Sequence, residues 1–185
     1  MRYLAFALML LPTVALSDWC DDLWFARNAM FAQAGQCFSS PLGRAYFGGR
    51  CTGEGVGLTA TQQRALALIQ AREATLGCRI DSRRVRELDV RQLPQRRSIP
   101  VQPARSEASA CVGWRGEPFV LRARPDAGGE RLAEVGRGAT IASAFESAFD
   151  GWQFYEVLLP AGEVIAGWAR TQPFGAGDRC AALTG

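Results

Sequence analysis

The chain has 185 residues, 48% of them apolar, and a formal net charge of +3. It has no histidine, which excludes Ser-His-Asp and Cys-His catalysis and removes the commonest protein ligand of zinc, copper and non-haem iron. Its 21 basic residues are all arginine and face 18 acids, a balance that does not suit a nucleic-acid binder.

Arg2 precedes an apolar run from Tyr3 to Leu16, and Ala15 and Ser17 supply small residues for cleavage. Residues 1–17 therefore read as a secretory signal peptide. The run is shorter than the roughly 20 residues needed to span a bilayer, so the mature chain is expected to hold no integral membrane segment. The six cysteines, an even number with no C-x-x-C, point to disulfides in an oxidising compartment. The expected location is the periplasm or the outside, and no metal or cofactor is expected.

Residues 18–78 read as a small helical domain. Asp21 or Asp22 is placed to cap a helix running to about Ala34, with Leu23, Ala26, Ala29, Met30 and Phe31 on its apolar face. Gly35 sits where a left-handed C-terminal residue belongs. Ser40-Pro41 opens a short helix with Leu42, Tyr46 and Phe47 inward. A glycine-rich loop, GGRCTGEGVG, comes next. Thr59 and Gln62 then form a capping-box pattern for a helix that stops at Gly77.

Residues 79–110 carry eight arginines against four acids and contain Pro and Ser. They read as an inter-domain linker, with SRRVRELDV as a possible short helix bearing Val85 and Leu88. The arginines suit a solvated linker first and contact with an anionic envelope surface second.

Residues 111–185 change period. EPFVLRARPD, RLAEVG, GATIASAF, DGWQFYEVLL and EVIAGWAR are short runs split by Gly, Pro and Asp, as in the antiparallel strands of a small barrel. The fold class is thus α+β in two domains. Locality within those domains selects Cys20–Cys78, Cys37–Cys51 and Cys111–Cys180 as the disulfides. Each bridge would contribute roughly 2–4 kcal/mol through the unfolded state.

The string FARNAMFAQAGQCFSSPLGRAYF resembles the YARHG domain, a small extracytoplasmic module of bacteria. Arg27-Asn28 stand at its upstream Arg-Asn, and Phe31-Ala32-Gln33-Ala34-Gly35 occupy the name-giving string. Ala32 and Gly35 match it, Phe31 is conservative, and Gln33 and Ala34 depart. Phe38, Gly43, Arg44 and Phe47 continue the pattern, and the resemblance covers about residues 20–78. The arrangement is also similar to exported alphaproteobacterial proteins in which such a domain precedes a second one without an assigned activity. VLRARPDAGGERLAEVGRGATI and DGWQFYEVLLPAGEVIAGWAR resemble bacterial SH3-like domains, which implies a small β-barrel and binding of cell-wall peptides or proteins.

Chemistry is sparse. The carboxylates Asp21, Asp22, Glu54, Glu73, Asp126, Glu146, Asp150, Glu156 and Glu163 show no spacing that selects a catalytic pair. The aromatics of the C-terminal part, Trp114, Trp152, Tyr155 and Trp168, are the candidate binding residues. With Trp152 and Phe154 on one strand face, Tyr155 falls on the other and is expected to face out. Arg27, Asn28 and Gly35 are assigned to the N-terminal motif, with Arg27 and Asn28 expected to hydrogen-bond the neighbouring loop. The expected function is a non-enzymatic envelope binding or adaptor protein for peptidoglycan, a peptide or an envelope protein. The alternatives are a carboxylate-dependent hydrolase and a structural partner subunit.

Overall fold

A computed structural model describes residues 14–53, 57–172, 174 and 178–185. Most of the expected signal peptide and part of the glycine-rich loop, with Glu54, lie outside these residues. Helix α1 (Val14–Gln33) is followed by α2 (Pro41–Phe47), a 3₁₀ turn (Gly48–Arg50), α3 (Ala60–Leu76) and the one-turn α4 (Leu93–Arg96). Then come β1 (Ala104–Trp114), β2 (Phe119–Arg122), β3 (Arg131–Val135), β4 (Thr140–Glu146), β5 (Trp152–Leu158), β6 (Val164–Arg170) and β7 (Cys180–Thr184). The described residues form an antiparallel seven-stranded sheet in the order β3-β2-β6-β5-β4-β1-β7.

Local signals set the helix ends. Ser40 Oγ accepts from Gly43 N–H at 3.2 Å, with Pro41 in the first turn. Thr59 and Gln62 make the reciprocal capping box. At the end of α1, Gly35 N–H donates to Ala32 O (3.1 Å) and Gln36 N–H to Phe31 O (3.0 Å), a Schellman pair around a Gly35 φ of +92°.

Helix α1 is apolar on most of its circumference, as a central helix must be. Leu23, Ala26 and Met30 pack with Ala65 and Ile69 of α3 against Phe145, Phe154, Trp168 and neighbouring sheet residues. Trp24, Phe25, Ala29 and Ala32 face the opposite way, onto Leu42 and Phe47 of α2 and onto Leu88. Asp21 and Asp22 are consequently not caps. They lie within the helix, 3% and 0% exposed, and their partners come from residues 86–96.

From Leu88 onward the expected linker is anchored in the fold rather than solvated, while residues 83–87 are exposed. Arg96 and Gln102 are fully buried, and Leu88, Ile99 and Val101 nearly so. Its carbonyls are taken up by side chains from both halves: Gln33 Nε2 donates to Ile99 O (2.8 Å), Gln62 Nε2 to Pro100 O (3.0 Å) and Trp168 Nε1 to Val101 O (2.9 Å). Satisfying a buried extended segment in this way avoids the cost of orphaned carbonyls. SRRVRELDV is not helical; Val85 is 65% exposed while Leu88 is buried. Strand β1 begins inside this stretch, at Ala104.

The five expected strands are present, but the sheet is open, with β3 and β7 at its edges, and does not close into a barrel. It curls strongly: Trp114 of β1 and Phe119 of β2 touch edge to face at 5.9 Å although three strands lie between theirs. The curl encloses a second core of Trp114, Leu121, Val135, Ile141, Tyr155 and Val157. Both sheet faces are thus covered, one by the helices and one by the sheet itself. All three expected disulfides form: Cys20–Cys78, Cys37–Cys51 and Cys111–Cys180.

Candidate functional site

The four aromatics singled out as a binding groove do not form one. Trp114 and Trp168 are fully buried, Tyr155 is 1% exposed and Trp152 8%. They also lie on two sides of the sheet. Trp152 and Trp168 pack towards the helices, where Trp168 meets Phe149 and Phe154 edge to face at 5.5 and 5.4 Å. Trp114 and Tyr155 sit in the curled core. Tyr155 faces away from the helices as the strand alternation requires, but the curl leaves no solvent there. Its hydroxyl accepts from Gln172 N–H at 2.8 Å, and burial raises its pKa above the ordinary 10.0. Indole and phenol groups with internal partners are core residues rather than a ligand platform.

Most of the acids are also committed. Asp22 accepts from Arg96 Nη1 at 2.6 Å on both oxygens and from Arg91 N–H at 3.1 Å. Asp21 binds Arg86 through two hydrogen bonds and accepts from Asp89 N–H. Glu156 receives Arg91, with Nε at 2.9 Å. Glu146 pairs with Arg72 at 3.8 Å and Asp126 with Arg124 at 3.3 Å. Asp150 and Glu163 are exposed loop residues.

What the structure does open is a cleft of about 500 Å³ where α1, the end of α3 and the segment after Cys78 meet. Trp24, Arg27 and Asn28 line it from one face of α1, as i, i+3 and i+4 spacing dictates. Glu73, Ala74 and Gly77 come from the end of α3, Phe38 and Ser40 from the start of α2, and Arg79, Ile80 and Ser82 from the extended segment after Cys78. The Cys20–Cys78 bridge fixes this corner, and Leu42 N–H donates to Ser82 O at 3.1 Å to close it.

Arg27 and Asn28 do not bond a neighbouring loop. Asn28 Nδ2 donates to Trp24 O, one turn back on its own helix, at 2.7 Å. Arg27 Nε lies 3.2 Å from Glu73 Oε2, close enough for an ion pair although out of line for a hydrogen bond. Glu73 is the cleft's sole carboxylate among its described lining residues. Burial raises its pKa above the ordinary value, and the charge of Arg27 only partly offsets this. Hydrolysis by a carboxylate pair needs a second acid across the cleft, and none of these residues supplies it. Arg27 and Asn28 are visible in the sequence as a polar pair; Glu73, Ser82 and Arg79 are not, because only the tertiary fold brings them there. Gly35 lies outside the cleft and serves the helix end.

Among the described residues no group of His, Cys, Asp or Glu could hold a metal ion, and no helix is long and apolar enough to cross a membrane. No curated protein and no solved structure matches the chain. The model of the YARHG domain matches residues 2–74, so the cleft lies at the seam between that domain and the C-terminal part of the chain. Three disulfides and a YARHG domain point to a location outside the cytoplasm. The remainder, residues 77–185, matches the model described as domain of unknown function (DUF4453); as this is more than half of its length, the chain belongs to the DUF4453 family.

Proposed function

We propose that this is an exported binding or adaptor protein of the cell envelope, non-enzymatic, whose ligand enters the cleft between α1 and α3. In this reading residues 1–17 are removed on export to the periplasm or beyond, and the curled sheet is an opened relative of SH3-like domains that serves as scaffold. The observation that carries it is the cleft at the seam, where Arg27 and Asn28 are held in place by Glu73 and Trp24 while the Ser82 hydroxyl and a second arginine, Arg79, have no side-chain partner among the described residues. Concave sites with a few convergent polar groups on rigid elements are where ligands bind. The buried aromatics of the sheet offer no such platform.

The test is localisation of binding by backbone amide shifts. Soluble peptidoglycan fragments are titrated into the labelled chain. Shifts centred on Arg27, Asn28, Ser40 and Ser82 are expected. No saturable shift, or shifts confined to the sheet, would refute the cleft as the site.

A further inference from the structure

We infer that the cleft recognises a carboxylate carried on a small apolar body, a step that rests on the binding role just proposed. Three observations carry it. First, the guanidinium of Arg27 is engaged from one flank only. Its Nε faces Glu73 and is shut off from solvent, and its two terminal amino groups have no hydrogen-bond acceptor among the described residues. Guanidinium takes a carboxylate bidentately through such a free edge, and a partner on the other flank fixes the plane in advance.

Second, the cleft has donors to spare. Arg79 makes no ion pair or hydrogen bond with a described residue. Ser40 Oγ is used as an acceptor by Gly43 N–H, so its own hydrogen remains to give, and Ser82 lines the same wall. Two arginines against Glu73 leave the lining with one net positive charge. Third, Trp24 and Ile80 give the cleft an apolar wall beside these donors. A bare inorganic anion would leave that wall unused; a carboxylate attached to methyl or methylene groups covers it.

A C-terminal peptide carboxylate has this chemistry; an acidic sugar shares the carboxylate and offers only ring C–H groups to the wall. The full chain is titrated calorimetrically with N-acetyl-alanyl-alanine, its C-terminal amide, glucuronate and glucose. Binding of an acid about tenfold or more tighter than its neutral counterpart is expected, the size of one lost charge-assisted pair. Saturation by the dipeptide alone assigns a peptide end, and saturation by glucuronate alone an acidic sugar. Arg27→Lys keeps the charge but loses the fork, and is expected to weaken the acid about tenfold while leaving circular dichroism unchanged. Arg79→Ala gives a second reading should Arg27→Lys not fold. Equal binding of acid and amide overturns the inference but leaves the cleft as a binding site. No binding of either acid, when peptidoglycan fragments still shift the cleft amides, also overturns it. Silence of all probes removes the binding role as well.

Discussion

Asp22 on α1 and Arg96 on α4 are both wholly buried and meet through two 2.6 Å contacts, so a charge pair sits at the centre of the molecule. Gln102 Oε1 accepts from Arg96 Nε at 3.1 Å, and Gln102 Nε2 returns the bond to Arg96 O at 2.7 Å. The guanidinium carbon lies 5.6 Å from the ring of Phe25 and 5.1 Å from that of Phe145, whose π faces stand near the Nη2 left without an acceptor. One partner belongs to the YARHG match and the other to the DUF4453 match, so the pair joins the two parts of the chain.

Removing one member of such a pair strands a buried charge, at a cost of about 3–5 kcal/mol. Arg96→Met is therefore expected to lower the urea midpoint sharply, with both parts unfolding at a lower concentration. Replacing both charges, Asp22→Leu with Arg96→Met, should restore much of the loss, because the desolvation cost disappears with the charges. A single substitution costing under about 1 kcal/mol would mean that water reaches the pair.

Gly35→Ala is expected to destabilise by about 1–3 kcal/mol, for two separable reasons. Its φ is +92°, and a β-carbon there would lie 2.3 Å from Thr52 Oγ1. Adding Thr52→Ala relieves the clash but not the backbone strain, so the double variant should recover part of the loss. Thermal unfolding of Gly35→Ala, Thr52→Ala and the double variant separates the terms; full recovery would assign everything to the clash.

Gly35, Ser40 and Thr59 are legible in the sequence because the physics that fixes them is local, within one turn of helix. The β2–β6 strands are legible from their turns. Strand β1 is not, since ARSEASA has neither apolar alternation nor aromatic residues, and only its pairing with β4 and β7 makes it a strand. Asp21 and Asp22 mislead because a charge near a helix start normally serves the dipole, whereas here the fold brings arginines from residues 86–96 to them. Tyr155 would face water only if the sheet packed on one face; the curl covers the other. The cleft draws residues from 24 to 82 and no short stretch of sequence contains it.

The disulfides should differ in reactivity with their exposure. Cys37 and Cys51 are both exposed, whereas Cys20 is 8% and Cys111 0% exposed. Under limiting reductant, alkylation and peptide mapping are expected to find Cys37 and Cys51 labelled first. By loop entropy their bridge is worth about 3 kcal/mol and Cys20–Cys78, which closes the longer loop, about 4. The variant lacking Cys20–Cys78 should therefore lose more stability and blur the cleft it anchors. Simultaneous labelling of all three pairs would indicate global unfolding instead.

Glu73 gives the cleft a pH signature. Burial raises its pKa above the ordinary 4.5, the opposing charge of Arg27 being the smaller influence. A carboxyl that holds its proton more tightly in the folded chain than in the unfolded one favours the folded state at low pH. That contribution is lost as pH rises from about 4.5 through the folded-state value. Glu73→Gln, which keeps an acceptor for Arg27, should therefore raise the urea midpoint at pH 7. The advantage should shrink as pH falls through the folded-state value and be gone below about 4.5, where wild-type Glu73 is protonated in both states. Because Glu73 is partly open to solvent, the gain is expected to be small, and the diagnostic is its pH dependence rather than its size. A midpoint that drops at pH 7 would show that Arg27 attracts the carboxylate more than burial disfavours it. It would also make the pair a structural bridge between α1 and α3 rather than a cost borne at the cleft.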